Sequence, residues 1–129
     1  MSTLAIHHLG LAVADLDTTA DFFTNVLGFE VVKEVPDYPA KFVSNGNAFI
    51  TLWQTEDGAL AFNRRTRIGL HHFAMTVASV EELQSLFEKA SNYPGVNIDF
   101  APEPLGDAGA QHAMIFEPGG IRMEFIYAG

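Results

Sequence analysis

The chain of 129 residues contains no cysteine, and this absence excludes several kinds of chemistry. Without cysteine a protein forms no disulfide, offers no thiolate to a metal and has no cysteine nucleophile. A chain that does without disulfides is typical of the reducing cytoplasm. The opening residues, MSTLAIHHLG, also lack the basic and apolar regions of a secretory leader. We therefore expect a cytoplasmic protein.

Positive charge and long apolar runs are scarce as well. Seven lysines and arginines stand against 16 aspartates and glutamates, which gives a formal net charge of −9. Such a surface repels a phosphate backbone, so we expect no nucleic-acid partner. No apolar run approaches the roughly 18–20 residues that cross a bilayer, so we expect no membrane partner. Because 48% of the residues are hydrophobic and only 18% are charged, the chain can bury one compact core.

The same short pattern occurs twice, 64 residues apart. The first copy reads IHHLGLAV at residues 6–13, and the second reads LHHFAMTV at residues 70–77. Each copy is followed by a helix signal and then by three strand-like runs, which indicates a duplicated βαβββ module. We predict a single α+β domain with module 1 at about 1–60, a linker at about 61–68 and module 2 at about 69–129.

Capping signals and turns give the bounds of the predicted elements. The first helix is predicted to begin at Asp15 or Asp17 and to end at Gly28. The second helix is predicted to begin at a capping box formed by Ser79 and Glu82. Strand-like runs follow the helices at residues 29–35, 40–44, 48–54, 96–101, 110–116 and 121–127.

Strand alternation separates the two histidines of each pair, because successive side chains point to opposite faces. His8 shares its face with glycine and alanine, and His72 shares its face with alanine and threonine. The opposite face carries large apolar side chains, which we expect to pack on the helix. His8 and His72 are therefore predicted to face a cavity, whereas His7 and His71 are predicted to lie on the helix side.

One carboxylate lies in the last, otherwise apolar strand. In GIRMEFIY, Glu124 shares a face with Arg122, and a carboxylate buried without a partner is strongly unfavourable. Pairing with Arg122 is one way to satisfy it. The other is a divalent metal with His8 and His72 as further ligands. Two neutral imidazoles and a carboxylate suit Fe(II), and also Zn(II), Mn(II), Ni(II) or Co(II).

Four further residues are candidates for catalysis or substrate binding. His112 is a candidate general acid or base, because an imidazole titrates near pH 7, and a partly exposed strand histidine is the alternative. Arg122 is a candidate for binding a substrate carboxylate, unless it pairs with Glu124. Thr51 and Trp53 share a strand face in module 1 and are candidates for lining a pocket, although the tryptophan equally suits the core.

These motifs, in this order, resemble the vicinal oxygen chelate superfamily of glyoxalases, bleomycin-resistance proteins and extradiol dioxygenases. IHHLGLAVADLDTTADFFTNVLGFEVV resembles the opening of its first module, GLHHFAMTVASVEEL the opening of its second, and FEPGGIRMEF its closing motif. The resemblance implies two modules that curl into an open, U-shaped half-barrel around one divalent metal. It also implies that His8, His72 and Glu124 are the ligands, and that a small substrate binds the metal through adjacent oxygens.

One position departs from the family pattern. Many members, including glyoxalase I, have a fourth ligand late in the first module, where this sequence has Thr51, or Ile50 if the turn differs by one residue. The leading hypothesis is a metal-dependent lyase or isomerase that acts through a metal-bound enolate. The alternatives are an Fe(II) extradiol dioxygenase and a non-catalytic, bleomycin-resistance-like binding protein. By resemblance we also expect a homodimer.

Overall fold

The computed structural model describes residues 2–129, which divide into two compact units at Ala59 and Leu60. Each unit contains one four-stranded mixed sheet and one helix, in the order βαβββ. The fold class predicted from the duplicated pattern is therefore confirmed. No helix within the described residues has the length and apolar character required to cross a membrane.

Module 1 consists of β1 (Leu9–Val13), α1 (Leu16–Asn25), β2 (Glu30–Val35), β3 (Ala40–Ser44) and β4 (Phe49–Gln54). The strand order is β1-β4-β3-β2, with β1 parallel to β4 and the other pairs antiparallel. Large apolar side chains from β1, β4 and the helix form the buried core of this module, including Leu11, Val13, Phe22, Phe23 and Leu52.

The start of α1 follows the first of the two predicted caps. The backbone N–H of Thr18 donates to Oδ1 of Asp15 over 2.9 Å, which satisfies one of the free donors of the first turn. The last residue of the helix is Asn25 and Val26 follows as its cap, but Gly28 terminates the helix as predicted. Gly28 has a φ of 74°, which allows the N–H of Phe29 to donate to the carbonyl of Phe23 over 3.0 Å.

Module 2 consists of β5 (Phe73–Thr76), α2 (Val80–Ser91), β6 (Asn97–Pro104), β7 (Gln111–Phe116) and β8 (Arg122–Tyr127). Its strand order is β5-β8-β7-β6, with β5 parallel to β8. The predicted capping box is confirmed. The N–H of Glu82 donates to Oγ of Ser79 over 3.0 Å, and the Glu82 carboxylate accepts the N–H of Ala78 over 2.9 Å.

The two sheets have equivalent registers. Gly10 on β1 lies opposite Thr51 on β4, and Ala74 on β5 lies opposite Glu124 on β8. Gly10 and Ala74 are 64 residues apart, which is also the spacing of the two histidine pairs. Thr51 is therefore the equivalent of Glu124 in module 1, and the alternative assignment to Ile50 is wrong.

Candidate active site

In module 2, Glu124 lies at the centre of a chain of polar side chains. Its Oε1 is 3.4 Å from Nε2 of His72, and its Oε2 is 2.5 Å from Nδ1 of His112. The sheet explains this grouping, because β8 lies between β5, which follows His72, and β7, which carries His112. The side chain of Glu124 is only 11% exposed, so these contacts supply the partners that a buried carboxylate needs.

Arg122 pairs with Asp99 rather than with Glu124. Its Nε and Nη2 both donate to Oδ2 of Asp99, over 2.9 and 2.8 Å. The alternative in which Arg122 satisfies Glu124 is therefore wrong. Sequence reasoning missed Asp99, and the only signal was a lone aspartate within the β-like run VNIDFA. The pair neutralises the charge of Arg122, which makes its predicted role toward a substrate carboxylate electrostatically less favourable.

The contacts of His112 are compatible with a side chain that accepts and donates a proton. Its Nε2 is 3.9 Å from Oε1 of Glu103, and its ring lies 4.8 Å from the ring of Phe100. The side chain is 13% exposed, so it is partly buried. The imidazole thus has one close carboxylate, one distant carboxylate and an aromatic neighbour.

The two histidines of each pair are in contact, and the prediction that they lie on opposite faces is wrong. Nδ1 of His71 is 2.7 Å from Nδ1 of His72, and the same atoms of His7 and His8 are 2.8 Å apart. The ring centroids lie 5.0 and 5.1 Å apart. Strand alternation fails here because each pair precedes the first residue of its strand, where no ladder enforces the pleat.

The electrostatic surroundings favour a neutral His71. Desolvation, followed by the positive charge of Arg122 and the neighbouring His72, lowers the pKa of His71 below its ordinary value. A neutral imidazole has one N–H and one lone pair, so it can either donate or accept at Nδ1.

The separation of His72 and Glu124 fits two ligands of one divalent metal. Zinc–nitrogen and zinc–oxygen bonds are roughly 2.0–2.2 Å long, so two ligand atoms at ordinary coordination angles lie roughly 3.0–3.5 Å apart. The distance between Nε2 and Oε1 is 3.4 Å. Within residues 2–129, no group of three or more histidine, aspartate or glutamate side chains is arranged as a metal site. His8, which is exposed and directly precedes β1, remains the predicted third ligand.

Module 1 has an aromatic cluster where module 2 has its polar chain. Nε1 of Trp53 donates to Oγ1 of Thr51 over 2.8 Å, so both side chains lie on one face as predicted. The ring of Trp53 lies 4.7 Å from that of Tyr38 and 5.5 Å from that of Phe42. A Cβ on Gly10 would lie 3.1 Å from Oγ1 of Thr51, so the small residue leaves room for this hydrogen bond.

A cavity of about 660 Å³ adjoins the aromatic cluster. Tyr38 and Trp53 form its apolar wall, and Glu56 and Asp57 lie at its acidic side. None of its lining residues carries a positive charge. The cavity therefore favours an uncharged ligand with an apolar part over an anion.

The family comparison agrees with this arrangement of two modules. Residues 5–125 match the model of the Glyoxalase/Bleomycin resistance protein/Dioxygenase superfamily. The protein belongs to this superfamily. Its members typically use a divalent metal, commonly bind small-molecule substrates and commonly form dimers.

Individual relatives agree with the family match. The chain is 28% identical over 126 residues to the Bacillus subtilis protein YwkD. The alignment covers 93% of this chain and 94% of that protein. It is 27% identical over 129 residues to a lactoylglutathione lyase of Arabidopsis thaliana, covering 95% of this chain but only 44% of the lyase. The chain thus spans less than half of that enzyme.

A solved structure supports the fold. The glyoxylase/bleomycin resistance protein/dioxygenase domain from Frankia sp. EAN1pec superimposes with a TM-score of 0.85 at 22% identity. The alignment covers 98% of this chain and 93% of that one.

Proposed function

We propose that the protein is a metal-dependent isomerase or lyase that moves a proton beside a carbonyl group of a small substrate. His8, His72 and Glu124 would hold one divalent ion, which is Zn, Ni, Mn, Co or Fe. Such an ion, when bound, supplies Lewis acidity toward adjacent oxygens of the substrate. The observation that carries the proposal is the 2.5 Å contact between His112 and Glu124, because it joins a proton-accepting group to the candidate ligand.

His112 is the proposed general acid–base. When its Nδ1–H donates to Oε2 of Glu124, the lone pair lies on Nε2, which can then take a proton from the substrate. The carboxylate stabilises the imidazolium that results and keeps the ring oriented. Glu103, 3.9 Å from Nε2, lies beyond hydrogen-bond distance and leaves that nitrogen available.

The proposed substrate is small, rich in oxygen and without several negative charges. Trp53 contributes to its binding surface in module 1, where no cation lines the cavity. Thr51 is buried and does not line this cavity, so its contribution is to accept the Nε1–H of Trp53 and hold the ring in place. Arg122 is the proposed contact for a single substrate carboxylate, and its bond to Asp99 limits how strongly it attracts one. We further propose a cytoplasmic homodimer without nucleic-acid or membrane partners. The net charge of −9 supports the absence of a nucleic-acid partner, because such a surface repels a phosphate backbone.

Ring-cleaving dioxygenation with Fe(II) is the second candidate function. It is favoured by Thr51, which occupies the position of a fourth ligand and whose hydroxyl is held by Trp53. Two histidines and one glutamate then leave open positions of the kind that non-haem iron uses. The aromatic wall formed by Tyr38 and Trp53 also suits a planar ring.

Anaerobic purification followed by elemental analysis tests the metal, and two assays then separate the reactions. We expect about one metal ion per chain, lost in His72→Ala and kept in His112→Ala. With a panel of hydroxy-ketones and oxo acids in D₂O, NMR should show deuterium exchange that falls roughly 10²–10⁴-fold in His112→Ala.

Oxygen uptake with catechols, and no deuterium exchange, would replace the proposal with the dioxygenase. Bound ligand without any turnover would replace it with a binding protein. Full metal retention in His72→Ala would contradict the ligand assignment itself.

A further inference from the structure

We infer that His71 is a positioning residue, which accepts a hydrogen bond from Nδ1 of His72 and so leaves Nε2 of His72 free for a metal. The inference rests on the proposed function, because it gives His72 the role of ligand. It adds a role for the first histidine of the pair, which strand alternation assigned to the scaffold.

The first step concerns protons. Two Nδ1 atoms 2.7 Å apart form a hydrogen bond only if one carries a hydrogen and the other a lone pair. A neutral imidazole has a single N–H, so a lone pair on Nε2 of His72 requires the hydrogen on its Nδ1. His71 must then be the acceptor at Nδ1 and carry its own hydrogen on Nε2.

The second step concerns the other tautomer of His72, in which the hydrogen is on Nε2. Nε2 of His72 faces Oε1 of Glu124 at 3.4 Å. If the hydrogen of His72 were on Nε2, it would point toward this carboxylate and occupy the side on which a metal would bind. An acceptor at Nδ1 opposes this tautomer, as partners of the second ring nitrogen do for metal-binding histidines in general.

The third step uses module 1, where the same contact occurs although the equivalent of Glu124 is not a carboxylate. The Nδ1 atoms of His7 and His8 lie 2.8 Å apart. The centroids of the two rings lie 5.8 and 5.7 Å from the centroid of the Phe49 ring. Module 1 has Thr51 in the place of Glu124. The contact within a pair therefore forms without a carboxylate at the equivalent position of the same sheet, which points to the local backbone before the strand as its cause.

The test compares His71→Ala with His71→Asn, because the Oδ1 of asparagine lies at the same distance from Cβ as Nδ1 does. His71 is exposed, so neither change removes a buried side chain. Long-range ¹H–¹⁵N NMR of the metal-free protein reports the tautomer of His72, and a competition assay with Zn(II) reports affinity. His7→Ala is the matched control in module 1.

In the wild type we expect His72 with its hydrogen on Nδ1. His71→Ala should shift the tautomer toward Nε2–H and weaken Zn(II) binding roughly 10–100-fold, whereas His71→Asn should restore both. His7→Ala should leave the tautomer of His72 unchanged.

An Nε2–H tautomer in the wild type would overturn the inference, as would an unchanged tautomer in His71→Ala. Zn(II) binding that is unaffected by His72→Ala would instead contradict the proposed function. The tautomer, read in the absence of metal, keeps the two failures distinguishable.

Discussion

The two modules share one register and one histidine pair, but they differ in the side chains around it. Module 2 has Glu124 and His112 where module 1 has Thr51 and Ala40. Module 1 also has a phenylalanine, Phe49, at the position of Arg122. The difference teaches that duplication supplies the scaffold twice, whereas the buried carboxylate and its histidine partner are present in one copy. The other copy offers an aromatic surface.

Replacing Glu124 by the equivalent residue of module 1 should have the largest effect on the difference between the modules. Glu124→Thr gives module 2 the residue of module 1, removes the carboxylate next to His72 and should weaken metal binding by at least roughly 100-fold. The matched variant Thr51→Ala in module 1 should bind metal within about twofold of the wild type, measured by isothermal titration with Zn(II). Equal losses in the two variants would show that the modules do not differ as described.

The pair of Asp99 and Arg122 gives a smaller, structural effect. Asp99→Ala leaves the guanidinium without its partner in a side chain that is only 10% exposed. We expect a loss of about 2–3 kcal/mol in the free energy of unfolding by urea. This is below the roughly 3–5 kcal/mol of fully buried pairs, because 28% of the Asp99 side chain is exposed.

A second variant connects this pair to module 1. Asp99→Ala combined with Arg122→Phe introduces the residue found at the equivalent position and removes the unpaired charge. The double variant should be more stable than Asp99→Ala alone, because it no longer contains an unpaired guanidinium. Together with the two single variants it forms a double-mutant cycle, which isolates the interaction between the two residues. If the loss in free energy of unfolding of the double variant equalled the sum of the losses in Asp99→Ala and Arg122→Phe, the pairing would be contradicted.

The helix caps differ between the modules in their response to pH. Ser79→Ala should cost about 1 kcal/mol at any pH, because a hydroxyl cap does not titrate. Asp15 accepts the N–H of Thr18, and this bond lowers the pKa of Asp15. Its contribution is therefore complete above the ordinary carboxyl pKa of about 3.9 and is lost as the pH falls through the lower value in the folded protein.

Urea unfolding from pH 7 to pH 2 measures this difference. The destabilisation caused by Asp15→Ala should vanish at the acid end, whereas that caused by Ser79→Ala should persist. The control Asp15→Ser keeps a cap and should behave like the serine of module 2. A pH-independent effect of Asp15→Ala would argue against a charged cap.

Much of the fold could be predicted because local signals and tertiary structure agree. Asp15 and Ser79 mark helix starts through hydrogen bonds that lie within four residues, and strand alternation put Glu124 and Arg122 on one face. The pairing of Thr51 with Gly10 fixed an equivalence that the sequence left open by one residue. These features depend on neighbours in the chain or on a repeated spacing.

The missed contacts depend on partners that are distant in sequence or on irregular backbone. The bond between Asp99 and Arg122 joins residues 23 positions apart, beside a register shift in β6 that no local pattern reveals. His71 contacts His72 because the pair lies outside the strand ladder, so the alternation rule does not apply. Because the strands begin only at Leu9 and Phe73, applying the alternation rule to the histidines changed the role assigned to His71.

The central proposal is that His8, His72 and Glu124 bind the same metal ion. X-ray absorption spectroscopy of the Zn(II)-loaded protein counts imidazole ligands directly. The account predicts two imidazoles in the wild type and one fewer in His8→Ala as well as in His72→Ala. A spectrum of His8→Ala that still shows two imidazoles would contradict it.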